Sequence, residues 1–350
     1  MIRAKREVEN LTRYVAPLEG RRPMLRLDFN ENTVGPSPRV IEAVRNLPPH
    51  EYATYPEYAG LVEAYASFIG VPPEFVAAFN GVDGAIHAVF DAFGEKGTVF
   101  LTTTPTFGYY RPCALQQGMV IDEVSYLPDL GYPLEAVKTK LKDNPRLFFI
   151  CNPNNPTGTL IEPDMILELA LLSPETLIVV DELYVAFTGK SVLPKALDCE
   201  NVIALQSLSK AAGIAGLRLG FAIGPPRLVE LMTRVTGPYD INALAVAAGK
   251  AALSDRAYIE WYVGEVLAAK SWSLGRLKDM GLKFFSEGGN YLLVWPPGDC
   301  EEVVSKLKKE GILVRSMRGK PLIDGSFRLT IGTREQMERF FDVFSRILGK

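Results

Sequence analysis

The stretch LFFICNPNNPTG, residues 147–158, decides how the chain folds. Five apolar residues stand in an unbroken row and stop at a break rich in Asn and Pro. A strand with one wet face would alternate apolar with polar residues. An unbroken row instead predicts a strand buried on both faces, as in a parallel sheet covered by helices on each side. The same pattern recurs on either side. LIVVDE (177–182) ends at Asp181, VIAL (202–205) runs into QSLSK, and GLRLGFAI (216–223) stops at Gly224-Pro225. Upstream, the row at 75–79 breaks at Asn80-Gly81, after which Ile86, Val89, Phe90 and Phe93 recur at helical spacing; another row at 98–101 ends in TTTPTFGYY. Strands alternating with helices predict an α/β fold, with a large three-layer domain around a mostly parallel sheet.

Near Gly237-Pro238 the pattern changes. A long helical region through about Lys278 is followed by NYLLVWPP, a helix near 301–309, GILVRS, SFRLTIG and a last helix from Arg334. This predicts a smaller C-terminal α/β domain. The expected division is an N-terminal arm over 1–25, a large domain over 26–240 and a small domain over 241–350. At 350 residues and 47% hydrophobic composition, the chain can bury cores for two such domains.

Charge and composition exclude several function classes. The net charge of −3, with basic clusters only at 3–6 and 21–22, argues against a nucleic-acid partner. Four scattered cysteines without a CxxC pair signal neither a metal site nor disulfides. No secretory pattern and no apolar run near the ~20 residues that span a bilayer is present. The expectation is a cytoplasmic protein without a membrane partner.

In open α/β sheets ligands bind beyond the carboxyl ends of the strands, and the polar residues at these ends form a coherent set. Lys210, in SLSKAAGIAGLRLGF (207–221), reads by itself as a surface lysine. Its small neighbours, however, leave room for close approach, as a Schiff-base lysine requires. Asp181 closes a buried row; besides capping a turn, a carboxylate there can face a cationic ring nitrogen. Tyr184 is either a core tyrosine or a donor to a ring oxygen. Gly81, Val82 and Asp83 begin a helix, whose free N–H groups and dipole attract anions. No Walker A or GxGxxG pattern accompanies that turn. Phe107 offers an aromatic face, and Arg218, in an otherwise apolar row, calls for an anionic partner. An amine, a carboxylate, an aromatic face, an anion-binding turn and an arginine are the partners that pyridoxal phosphate requires.

In combination and order, NPNNPTG, VVDELY and SLSK…GLRLG resemble fold-type I pyridoxal-phosphate aminotransferases, and within them the histidinol-phosphate aminotransferase family. The flanking NLTRY, LDFNENTVGPSP, YPEY and FRLTIGTRE carry the resemblance over nearly the whole chain. It implies that Lys210 forms the internal aldimine and carries the proton between Cα and C4′. It further implies that Asp181 pairs with the pyridine nitrogen, that Asn155 and Tyr184 bond the ring oxygen, and that Phe107 stacks on the ring. The 81–83 turn, Ser207 and Arg218 would hold the phosphate, joined by Tyr55 of a second subunit in a homodimer. Val82 and Gly84 depart from the family's Ser or Ala before the Asp and Glu after it, which excludes a hydroxyl contact at 82.

For the substrate, the resemblance assigns the anionic end to Arg328, assisted by Arg315; without it, Arg328 reads as the solvent face of a half-buried strand. Tyr14 and Asn32 are further expected substrate contacts. The implied reaction is ping-pong transamination: histidinol phosphate and 2-oxoglutarate give imidazole-acetol phosphate and glutamate, within histidine biosynthesis. Val314–Ser316 and NALA (242–245) also resemble threonine-phosphate decarboxylase, whereas NLTRY and IGTRE favour the transaminase. An aromatic or other amino-acid aminotransferase shares every cofactor residue. A non-catalytic pyridoxal-phosphate-binding regulator would need a DNA-binding module that the sequence does not show.

Overall fold

The computed structural model describes residues 2–13 and 15–349. Among them, two sheets organise the chain. The first strand, β1 (Leu25–Leu27), belongs to the smaller sheet. The larger sheet comprises β2 (Val76–Asn80), β3 (Val99–Thr104), β4 (Val120–Ser125), β5 (Leu147–Cys151), β6 (Leu177–Asp181), β7 (Val202–Ser207) and β8 (Leu219–Ile223), ordered β2-β8-β7-β6-β5-β3-β4.

Every residue of β5, β6 and β8 is buried, which is why their sequences are unbroken apolar rows. Successive side chains enter different cores. Phe149, Val179 and Leu205 pack with the helix Gly81–Phe93, whereas Phe148, Ile178 and Ala204 pack with the helices Pro163–Leu172 and Ala243–Ser254.

Strands β3 to β7 pair in parallel, but β8 runs antiparallel to both β7 and β2. The residues between β7 and β8 hold only a short 3-10 turn, Ala215–Leu217, so the chain turns back without a crossover helix. This reversal corrects the placement of Arg218 inside a strand: it stands just before β8, with φ at 57°. It also puts Arg218 on the working edge, because the start of an antiparallel strand lies beside the ends of its parallel neighbours. Ser207 pairs with Gly220, and Asn80 with Leu219.

The smaller sheet adds β9 (Lys283–Phe285), β10 (Tyr291–Trp295), β11 (Ile312–Ser316) and β12 (Phe327–Thr330), ordered β1-β11-β12-β10-β9. Here β1 pairs in parallel with β11, so residues 25–27, expected where the arm meets the large domain, are stitched into the C-terminal sheet. The helix Arg334–Leu348 covers this sheet, burying Met337, Phe340, Phe341 and Phe344. Its start is fixed by a capping box between Thr333 and Gln336. Among the described residues, no helix is long and apolar enough to cross a membrane.

Candidate active site

Where the working edge of the large sheet faces the C-terminal sheet lies a cavity of about 300 Å³. Lys210, Asp181, Tyr184, Val82, Asp83, Phe107, Asn155, Ser207, Arg218, Arg315 and Arg328 all line it. Side chains from Val82 to Arg328 therefore line one space. Gly81 stands behind the lining at the first turn of its helix.

Asp181 ends β6 and is 2% exposed. Its Oδ2 accepts from Tyr110 Oη (2.5 Å) and its Oδ1 from Leu183 N (3.2 Å), both neutral donors. Burial raises its pKa to about 6, against the lowering effect of those two hydrogen bonds. Tyr184 Oη accepts from Asn30 Nδ2 (3.0 Å) and Asn155 Nδ2 (3.3 Å). Both bonds are received, so its own proton stays available for donation, and burial raises its pKa well above that of an exposed phenol.

Lys210 Nζ donates to Phe29 O (3.0 Å). Burial, with Arg328 adding repulsion, lowers its pKa to about 8, so a useful fraction of neutral amine exists near neutrality. The carbonyl it meets belongs to a strap, residues 28–30, of which Phe29 lines the cavity. Arg328 Nη2 donates to Asp28 O (2.6 Å), Asn30 N donates to Thr330 Oγ1 (3.0 Å), and Asn290 Nδ2 donates to Asn30 O (3.2 Å). Asn30 takes φ 56°, a left-handed conformation that Asn tolerates better than most residues. Arg328 Nη1 also donates to Asn155 Oδ1, which ties the C-terminal sheet to the NPNNPTG loop.

Arg218 Nη2 pairs with Asp83 Oδ2 at 2.6 Å, at the start of the helix Gly81–Phe93. Ser207 Oγ accepts from Ser209 N (3.0 Å) and donates to Leu219 O (2.9 Å), bracing the turn that carries Lys210.

Two expected residues lie elsewhere. Asn32 does not line the cavity: its Nδ2 donates to Ala211 O (3.1 Å) and its Oδ1 accepts from Val34 N and Gly35 N (2.9 and 2.8 Å). Its polar atoms hold a backbone turn. Tyr55 is exposed and stacked on Tyr239, 3.8 Å between ring centroids, outside its own chain's cavity. Tyr14 lies outside the described residues, although Ala16 of the same arm lines the cavity.

Sequence reasoning missed Asn30, Tyr110 and Lys320. Tyr110 follows Phe107 in PTFGYY without a period to mark it, and Asn30 acts on Tyr184 from 154 positions away. Lys320 sits in the β11–β12 loop, among residues with no strand or helix signal.

Comparison with known proteins decides the class of the site. The model of the aminotransferase class I and II family matches residues 22–344. The chain belongs to the class I and II aminotransferases. It is 33% identical to histidinol-phosphate aminotransferase 1 of Trichormus variabilis over 316 residues, covering 89% of each chain. It is 32% identical to the histidinol-phosphate aminotransferase of Geotalea daltonii, covering 97% of each. In fold it superposes with TM-score 0.88 on the Sinorhizobium meliloti histidinol-phosphate aminotransferase in complex with pyridoxal-5′-phosphate, at 24% identity, covering 99% of this chain and 97% of that one.

As an aminotransferase of these classes the protein uses pyridoxal 5′-phosphate, and the residues fit that group. Five cationic side chains line the cavity (Lys210, Arg218, Arg315, Lys320, Arg328) against the two carboxylates Asp83 and Asp181, a balance suited to an anionic phosphate. Asp181, raised in pKa and bonded only by neutral donors, suits a cationic ring nitrogen. The helix start beside Arg218 is shaped by glycine: a Cβ on Gly220 would lie 2.5 Å from Gly81 C and Val82 N. Only glycine lets the strand stand this close to the helix start.

Proposed function

We propose that this aminotransferase exchanges the amino group of histidinol phosphate with 2-oxoglutarate, giving imidazole-acetol phosphate and glutamate, as a step of histidine biosynthesis. The observation that carries the substrate reading is the cationic wall contributed by the C-terminal sheet. Arg315 and Arg328 line the cavity from β11 and β12 of the C-terminal sheet, whereas Arg218 and Asp83 come from elements of the large sheet and its helix. A second group of arginines, on a different sheet from Arg218, suits a substrate that ends in phosphate or carboxylate. The names of relatives 30–33% identical over most of their length support the phosphate.

Pyridoxal phosphate, when bound, supplies an aldehyde that takes up the amino group and a ring that accepts the electrons of the breaking bond. This chain's residues would do the rest. Asp181 would pair with the ring nitrogen and keep it protonated. Tyr184 would donate its free proton to the ring oxygen beside Asn155, with Phe107 against the ring face. Arg218, Ser207 and the N–H groups of the 81–83 turn would hold the cofactor's phosphate. Lys210 Nζ would hold the aldehyde carbon at rest and then move the proton to and from the substrate Cα, a role that its lowered pKa suits. Arg328, with Arg315, would fix the substrate's anionic end.

A homodimer in the cytoplasm, with Tyr55 completing the partner's phosphate site, is part of this reading. So is a division into arm, large domain and small domain, amended by the return of β1 to the C-terminal sheet.

Mixing the loaded enzyme with single amines tests the substrate directly. Glutamate and histidinol phosphate are each expected to bleach the bound cofactor's visible absorbance, whereas threonine phosphate and phenylalanine bleach it far more slowly. Bleaching by phenylalanine and not by histidinol phosphate would overturn the proposal. Release of CO2 from threonine phosphate would point to the decarboxylase instead.

A further inference from the structure

We infer that Lys320 is a third anion-binding side chain of the substrate pocket, one that selects a phosphate over a carboxylate. The inference rests on the phosphorylated substrate proposed above. Lys320 lies in the loop between β11 and β12, and that loop is a built object. Met317 N donates to Ser326 O (2.9 Å), Gly319 N to Asp324 Oδ1 (2.8 Å) and Lys320 N to Met317 O (3.0 Å). Met317 and Ile323 anchor it from beneath, buried against Leu130 and Leu293. Within this frame Arg318 is exposed, while Lys320 is half-buried and lines the same cavity as Arg315 and Arg328.

Among the described residues no carboxylate stands within ion-pair reach of Lys320; Asp28 in the strap and Glu31 just after it are engaged by Arg21 at 2.6 and 2.8 Å. Burial and the nearby Arg315 and Arg328 all disfavour its charged form. Three cations gathered in a half-closed space repel one another, and an anionic ligand relieves that cost. The required charge separates two kinds of ligand. A carboxylate carries one negative charge and two oxygens, which a single planar guanidinium satisfies. A phosphate monoester carries close to two charges and three terminal oxygens, leaving acceptors for the compact ammonium of a lysine.

The test compares Lys320→Met and Lys320→Arg with the wild-type loaded enzyme, measuring KM for histidinol phosphate and for glutamate and the inhibition of the glutamate reaction by inorganic phosphate. The expected result for Lys320→Met is a roughly tenfold or larger rise in KM for histidinol phosphate, as for the loss of one charged hydrogen bond, with a much smaller change for glutamate. Lys320→Arg should restore most of the difference. An unchanged KM for histidinol phosphate, or equal rises for both substrates, would overturn the inference. If the wild-type enzyme ignores histidinol phosphate while inorganic phosphate still inhibits, and inhibits Lys320→Met less, the inference stands and the substrate proposal falls. If inorganic phosphate inhibits wild type and Lys320→Met alike, the inference falls.

Discussion

At the scale of single residues, the site is governed by what burial does to charge. Lys210 and Asp181 are displaced in opposite directions, each toward its neutral form. For Lys210 the consequence is kinetic. Neutral amine is the nucleophile, so a pKa of about 8 in place of the ordinary 10.5 makes the lysine reactive more than two pH units earlier. In the cofactor-free protein the rate of uptake of added pyridoxal phosphate, followed by visible absorbance, should rise with pH to a midpoint near 8; a midpoint near 10 would contradict this environment. The same shift bears on stability. The folded-state pKa is depressed below the unfolded one, so the unfolded chain binds more protons between about pH 8 and 10.5, and this group's contribution to stability increases across that window.

At the scale of elements, the site depends on a close approach between one strand and one helix. Gly220 of β8 faces the first turn of the helix Gly81–Phe93, and a Cβ there would meet backbone that has no flexible end to yield. Gly220→Ala should lower stability by about 1–3 kcal/mol through overpacking and weaken cofactor binding with it. Thermal unfolding and equilibrium dialysis measure the two; unchanged cofactor affinity would show that the approach does not shape the phosphate end. The strands themselves were legible, because unbroken apolar rows ending in Asn, Asp or Ser mark β2, β5, β6 and β7 together with the residues they present. The direction of β8 was not, since a buried strand has the same composition whichever way it runs. Strands β1 and β9, at three residues each, are too short for any period to declare them. The strap at 28–30 escaped for another reason: its partners Tyr184, Asn290 and Thr330 are distant in sequence, and no local pattern encodes such pairings.

At the scale of the whole molecule, the cavity is a joint product of two sheets. The large sheet brings Asp181, Ser207, Lys210 and Arg218, and the C-terminal sheet brings Arg315 and Arg328. Tyr55 bears on how many chains make one site, because it is exposed and away from its own cavity. If it acts across a dimer, mixed dimers of a Lys210→Ala chain and a Tyr55→Ala chain contain one complete site, made of Lys210 from the second chain and Tyr55 from the first. Co-expressed variants should then recover activity that neither shows alone, and no recovery would place Tyr55 outside the partner's site. In the proposed mechanism the amine of Lys210 holds the cofactor at the meeting of the two sheets. Borohydride reduction of the loaded enzyme, followed by peptide mass mapping, tests it most directly. A pyridoxyl group on Lys210 is the predicted result; its appearance on another lysine, such as Lys320 or Lys270, with Lys210 unmodified, would contradict the account.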